Sequence, residues 1–214
     1  MTILSLNKTR ELRWALCAHF LLLEQLRRRV FCMGADCAHF SFKGDIIMKH
    51  TRYLVQAAII ATLYAVLTHM QNLLLPGSAT WAIQMRISEA LCVLAFFTPA
   101  AVPGLSLGCL LFNLTYSATL PLDFLVGTLA TFLAAEGMWL TRAWKVKGLP
   151  LFGLILPALF NALLVGWELA VYIGGGFVMN AVYVAIGELA VLLVLGSALY
   201  YTLLARGLDK KLFA

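Results

Sequence analysis

Between Tyr53 and Ala205 the chain is a succession of apolar runs separated by short polar gaps, and that pattern leaves few folds open. Crossing a hydrocarbon core of about 30 Å takes about 20 apolar residues in a helix, and several of the runs reach that length. With 62% apolar residues, 12% charged residues and a mean hydropathy of +0.90, the composition departs from that of a soluble domain, in which about a quarter of residues are charged. Backbone amides in lipid must bond within their own helix or around a closed barrel. The runs lack the ten-residue alternation of barrel strands, and Pro and Gly interrupt them as they do membrane helices. The fold class is therefore all-α, an integral membrane protein built as a compact bundle.

Six transmembrane helices are expected: Tyr53 to Leu75, Ile87 to Pro99, Gly104 to Ser117, Leu122 to Thr141, Leu149 to Ile173, and Phe177 to Ala205. The second and third are short, bounded by Thr98-Pro99 and Pro103-Gly104, because proline lacks an amide proton and restricts the residue before it. A four-span alternative merges these two into one kinked segment; six is preferred. Lys and Arg concentrate on the side that retains positive loops: Lys49, Arg52, Arg142, Lys145, Lys147, Arg206, Lys210 and Lys211 fall on one side and Arg86 alone on the other. Both termini are thus expected in the cytoplasm. The halves show no repeat, which disfavours an inverted-repeat transporter.

Residues 1–47 differ from the rest. Their longest apolar run, Trp14 to Leu23, is too short to span, and Arg27, Arg28 and Arg29 follow where a signal peptide would have a cleavage site. This N-terminal extension is read as disordered or as an interfacial helix, and Met48-Lys49-His50-Thr51-Arg52 resembles a membrane-protein start, so residues 48–214 form the membrane domain. The five cysteines define no disulfide framework. Cys32, Cys37 and His39 fit no common zinc spacing, and neither metal nor cofactor is called for.

A charge near the bilayer centre costs about 2.5 to 3.5 kcal/mol on insertion scales, so a retained carboxylate needs a partner or a use. Glu89 and Arg86 lie three residues apart near one end of the second span, Asn113 near the same end of the third, and Asp123 opens the fourth. Asn161 lies mid-way along the fifth with Glu168 nearly two turns further on, and Glu188 is about 11 residues into the sixth. These groups share one level in the outer half of the bundle. Singly, each has an ordinary explanation as an interface ion pair, an N-cap or an interhelical bond. Together, four acids with one Arg leave excess negative charge, which suits a cationic or donor-rich ligand. Glu136 sits nearer the cytoplasm, outside the cluster. Trp81, Tyr116, Trp167, Tyr172 and Tyr183 are placed either for a lipid-interface belt or for stacking on a planar ligand. Ala57, Ala61 and Ala65 repeat every four residues, a ridge of small side chains that lets another helix approach, from a partner or from the same bundle.

No phosphate-binding Gly-Lys-Ser/Thr loop is present, so the chain does not itself couple ATP hydrolysis, and neither His-Glu-x-x-His nor Gly-x-Ser-x-Gly occurs. The polar set reads as recognition and not catalysis. Basic residues fall in the gaps between runs and not on one polar face, which argues against nucleic acid.

Arg86-Ile87-Ser88-Glu89-Ala90-Leu91, Phe97 to Gly104, Leu107-Gly108-Cys109, Asn113, Phe124 to Ala135, Asn161 to Gly166 with Glu168, and Gly187-Glu188 resemble the QueT family in order and spacing over about Met48 to Arg206. The resemblance implies the substrate-specific subunit (S component) of an energy-coupling factor (ECF) importer in a bacterial-type plasma membrane. Its ligand would be the queuosine precursor 7-aminomethyl-7-deazaguanine, and its partners an ECF transmembrane coupling protein and two cytoplasmic ATPases. Ala57, Ala61 and Ala65 then correspond to the ridge that meets the coupling protein. Arg86, Glu89, Asn113, Asp123, Asn161, Glu168 and Glu188 would contact substrate. Glu168 or Glu188 would take the donor edge of the ring, Asn113 or Asn161 its carbonyl edge, and Asp123 or Glu89 the aminomethyl cation. Another vitamin-like ligand, or a membrane assembly role without transport, are the competing readings.

Overall fold

The computed structural model describes residues 48–76, 85–115, 122–146 and 148–213, and the extension, Trp81 and Tyr116 lie outside them. Among the described residues the chain is helical, without strands. Helix α1 covers Met48–Leu74, η1 is a 3-10 helix over Ile87–Phe96, α2 covers Ala101–Thr115 and α3 Asp123–Thr141. Helix α4 is Leu151–Tyr172, α5 is Phe177–Ala205 with π-helical geometry at Leu192–Gly196, and α6 is Leu208–Phe213. Helices α1, α3, α4 and α5 are long and apolar enough to cross a membrane, whereas η1 and α2 are apolar but shorter.

The bundle is apolar on its outside. Leu54, Ile59 and Leu63 on α1, Leu125 and Leu129 on α3, Ile155 and Leu159 on α4, and Val178, Val182 and Ile186 on α5 are all exposed. Soluble proteins rarely leave so continuous an apolar surface bare, and lipid is the solvent that suits it.

The segment expected as a second α-helix is instead a ten-residue 3-10 helix at the centre of the fold, buried except at Ile87 and Leu91. Its pairing with α1 gives the physical reason. Thr68 donates to Ser88 at 2.7 Å, and Thr98 donates to Gln56 at 3.1 Å, so twelve residues of α1 run alongside ten of the η1 segment. Those twelve extend about 18 Å at 1.5 Å per residue. Ten residues extend only about 15 Å as an α-helix but about 20 Å at the 3-10 rise. The tighter helix lets the shorter sequence keep step with its neighbour at both ends.

Helix α2 begins three residues earlier than the sequence suggested. Pro103 falls in its first turn, where an amide proton has no helical partner to lose. Gly104 and Gly108 then face α1: a Cβ on Gly104 would come within 2.8 Å of the Ala57 carbonyl oxygen, and one on Gly108 within 2.7 Å of that of Ala61. Backbone meets backbone there.

Helices α2 and α3, α3 and α4, and α4 and α5 pack as successive neighbours. Gly174, Gly175 and Gly176, all with φ between 83° and 87°, reverse the chain between α4 and α5. Asn180 closes that turn by donating to the Gly174 carbonyl at 2.8 Å. At the opposite end, Phe96, Leu154, Leu192, Tyr200 and Leu203 form the main apolar core, and Phe97 stacks on Phe213 of α6. The other end, where α1 and α2 finish and η1 and α3 begin, is here called the rim.

Candidate functional site

All seven sequence-predicted ligand residues are buried: Arg86 3% exposed, Glu89 0%, Asn113 1%, Asp123 4%, Asn161 4%, Glu168 0% and Glu188 1%. They come from η1 and its N-cap, α2, α3, α4 and α5. Each reaches the interior because its neighbours on the same helical face are small or apolar and buried, as Ala158, Ala162, Val165 and Leu169 are around Asn161 and Glu168.

Arg86 anchors the group. Its Nη2 donates to Asp123 Oδ2 at 3.3 Å, an ion pair between the start of η1 and the start of α3. Nη1 points at the Cys109 sulfur at 3.8 Å, and the guanidinium lies 5.7 Å from the centre of the Phe112 ring. Asn113 ties α2 to α3 by donating to the Asp123 backbone carbonyl at 2.9 Å, and also approaches the Cys109 sulfur at 3.5 Å. Glu89 is held from two sides, with Tyr64 of α1 donating to Oε1 and the Cys92 thiol to Oε2 at 3.0 Å. Glu168 lies close enough to Asp123 and Arg86 to interact with both charges, and Glu188 likewise with Glu89 and Arg86, with Asn161 alongside it. The seven side chains thus all turn into the bundle interior, but not at one level: Asn161 lies seven residues, nearly two turns, deeper along α4 than Glu168.

One property of this cluster is chemical. Among the described residues, the buried side-chain oxygens without a hydrogen-bond partner are Asn113 Oδ1, Asp123 Oδ1, Thr128 Oγ1, both oxygens of Glu168, and Glu188 Oε2. All but Thr128 belong to the predicted set, and all but Thr128 can only accept when the acids are ionised. Native interiors pair about nine in ten buried polar atoms, so this concentration of bare acceptors is unusual for a packed interior.

Gly127 on α3 lies at the junction. A Cβ there would stand 2.6 Å from Asn113 Nδ2 and 2.7 Å from Asp123 Oδ1. Only a residue without a side chain leaves both groups where they are.

Several members escaped the sequence reading. Tyr64, Thr68 and Gln71 continue the inward face of Ala57, Ile60 and Ala61 along α1, all buried, and Gln71 bonds the Met85 carbonyl and the Ile87 amide, fixing the entry to η1. Their helical spacing was available as a signal.

The alanine ridge was read as a close-approach face for a partner or for the same bundle, and two of its three members meet a helix of the bundle. Ala57 and Ala61 are each 6% exposed and packed against Gly104 and Gly108 of the same chain, while Ala65 is half-buried. Close approach was the right inference, and the helix that approaches is α2. Trp167, Tyr172 and Tyr183 are exposed at 51%, 44% and 37%, on the outer surface and away from the acids. Glu136 is half-buried on α3. Among the described residues no group of His, Cys, Asp and Glu is arranged to hold a metal.

The family model described as QueT transporter matches residues 54–205, a stretch that contains every residue of the cluster. No curated protein and no solved structure gives a match.

Proposed function

Because the chain belongs to the QueT transporter family, we propose that this multi-pass membrane protein is the substrate-binding S component of an ECF importer, capturing 7-aminomethyl-7-deazaguanine from outside a bacterial plasma membrane. The observation that carries the reading is the set of buried acceptor oxygens on Asn113, Asp123, Glu168 and Glu188. A deazaguanine supplies ring N–H and amino donors on one edge and a cationic aminomethyl group on the other, which gives such a set of acceptors charge-assisted partners. Arg86 and Glu89 belong to the frame of the site, since Asp123 holds the guanidinium and Tyr64 and Cys92 each occupy one oxygen of Glu89.

The rim then faces outward, both termini lie in the cytoplasm, and η1 and α2 count as the second and third of six rods. Transport takes place with an ECF coupling protein and two ATPases, which hydrolyse the ATP; the chain is not itself an enzyme. With Ala57 and Ala61 covered by α2, docking along α1 uses the exposed flank beside Ala65.

Protein purified from cells grown with the precursor tests the assignment. Mass spectrometry of the extracted ligand should return the deazaguanine, and titration calorimetry of the emptied protein should show saturable binding. Recovery of another small molecule would transfer the role to a different vitamin-like ligand. Folded protein that binds none would favour a structural role for the buried acids.

A further inference from the structure

The unpartnered acceptors fall into two groups at different depths. At the rim, Asp123 is the first residue of α3, Asn113 lies just before the end of α2, and Glu168 four residues before the end of α4. Asn161, seven residues before Glu168, is about 10 Å deeper at 1.5 Å per residue, and Glu188 is beside it.

What each group has left to offer is fixed by its existing bonds. The Asn113 amide donates to the Asp123 carbonyl and to the Cys109 sulfur, so Oδ1 is the atom that remains. Asp123 has Oδ2 on Arg86 and Oδ1 bare, and Glu168 has both oxygens bare. The Asn113 amide nitrogen and Asp123 Oδ1 flank the same point above Gly127, which puts the two side chains next to each other, and Glu168 is near enough to feel the Asp123 charge. The rim group therefore offers acceptors from three helices. Its charge is uneven as well: Arg86 pairs with Asp123, and Glu168 has no cation on its oxygens. The deeper group is different in kind, since it combines a carboxylate with an amide.

A ring edge that sets a carbonyl beside N–H groups needs a donor and acceptors together, whereas a primary ammonium has three donors and no acceptor. We infer that Glu168, with Asp123 Oδ1 and Asn113 Oδ1, forms a cage for a primary ammonium at the rim, while the ligand's ring points inward to Glu188 and Asn161. This rests on the deazaguanine reading above, and it moves Glu168 from the ring edge to the cation.

Calorimetry with two compounds separates the ends of the ligand: 7-aminomethyl-7-deazaguanine, and the same ring carrying a neutral nitrile. The wild type is expected to favour the amine about tenfold or more, as a charge-assisted contact would give. Glu168→Gln should cut that preference to about threefold or less while holding nitrile affinity near the wild-type value. Glu168→Asp, which keeps the charge on a shorter stem, should weaken the amine alone and to a smaller extent. Equal loss of both compounds in either variant would return Glu168 to the ring edge and overturn the inference, as would a preference that survives Glu168→Gln. Folded wild-type protein that binds neither compound would overturn the deazaguanine reading itself.

Discussion

Replacing Gly127 by Ala tests how tightly the site is built, with Gly137 on the same helix as its control. At Gly127 the new methyl would lie 2.6 Å from Asn113 Nδ2 and 2.7 Å from Asp123 Oδ1. To reach ordinary contact each atom must retreat by about 0.7 to 0.8 Å, and neither is the end of a long, flexible side chain. The retreat stretches the 2.9 Å bond from Asn113 and the 3.3 Å ion pair of Asp123. Overpacking costs about 1 to 3 kcal/mol and a weakened hydrogen bond about 0.5 to 1.5, against a gain of about 1 from replacing a helical glycine. The net is a loss of about 1 to 3 kcal/mol. At Gly137 the closest atom is Leu156 Cδ1 at 2.8 Å, a methyl that rotates away, so Gly137→Ala should be neutral or slightly stabilising. Thermal unfolding of the two variants in the same detergent reads the difference. Equal midpoints for Gly127→Ala and Gly137→Ala would refute the packing argument.

Arg86→Met strands Asp123 as a buried charge and should cost about 3 to 5 kcal/mol, with Arg86→Met/Asp123→Leu recovering much of it; a double variant no better than the single one in thermal unfolding would show the pair is not the source. Tyr64→Phe removes one of the two donors on Glu89 and should lower stability by about 1 to 3 kcal/mol, measured in the same way, whereas an unchanged midpoint would mean that Glu89 does not depend on it. Gly108→Val forces a side chain against the Ala61 carbonyl, which backbone cannot yield, and should leave little folded protein by size-exclusion chromatography; a monodisperse wild-type-like peak would disprove the close crossing of α1 and α2.

Much of the candidate site was legible because end-counting works in a membrane. Asp123 opens one apolar run, Asn113 nearly closes another, and Glu168 lies a turn from the end of a third, so position along each run fixes height. The same counting could not supply Tyr64 and Cys92 as the partners of Glu89, because that depends on the register between α1 and η1. Nor could it tell which helix the alanines meet: small residues announce a crossing without naming the other party. The 3-10 form of η1 was hidden for a similar reason. Its residues suit an α-helix equally well, and only the demand to match Thr68 and Gln56 at both ends selects the longer rise. Trp and Tyr near the membrane interface were ambiguous by nature, and Trp167, Tyr172 and Tyr183 turn outward.

The pitch of η1 carries a consequence for the chemistry beside it. Three residues per turn stack every third side chain in one straight file, and Glu89, Cys92 and Ala95 form such a file, each wholly enclosed, with Arg86 just ahead of it at the extended N-cap. Rewinding to 3.6 residues per turn would fan the file by about 60° at each step and shorten the rod by about 5 Å. The Glu89 carboxylate and the Cys92 thiol that bonds it would then diverge. The setting of that carboxylate is thereby geared to how far this one coil is drawn out.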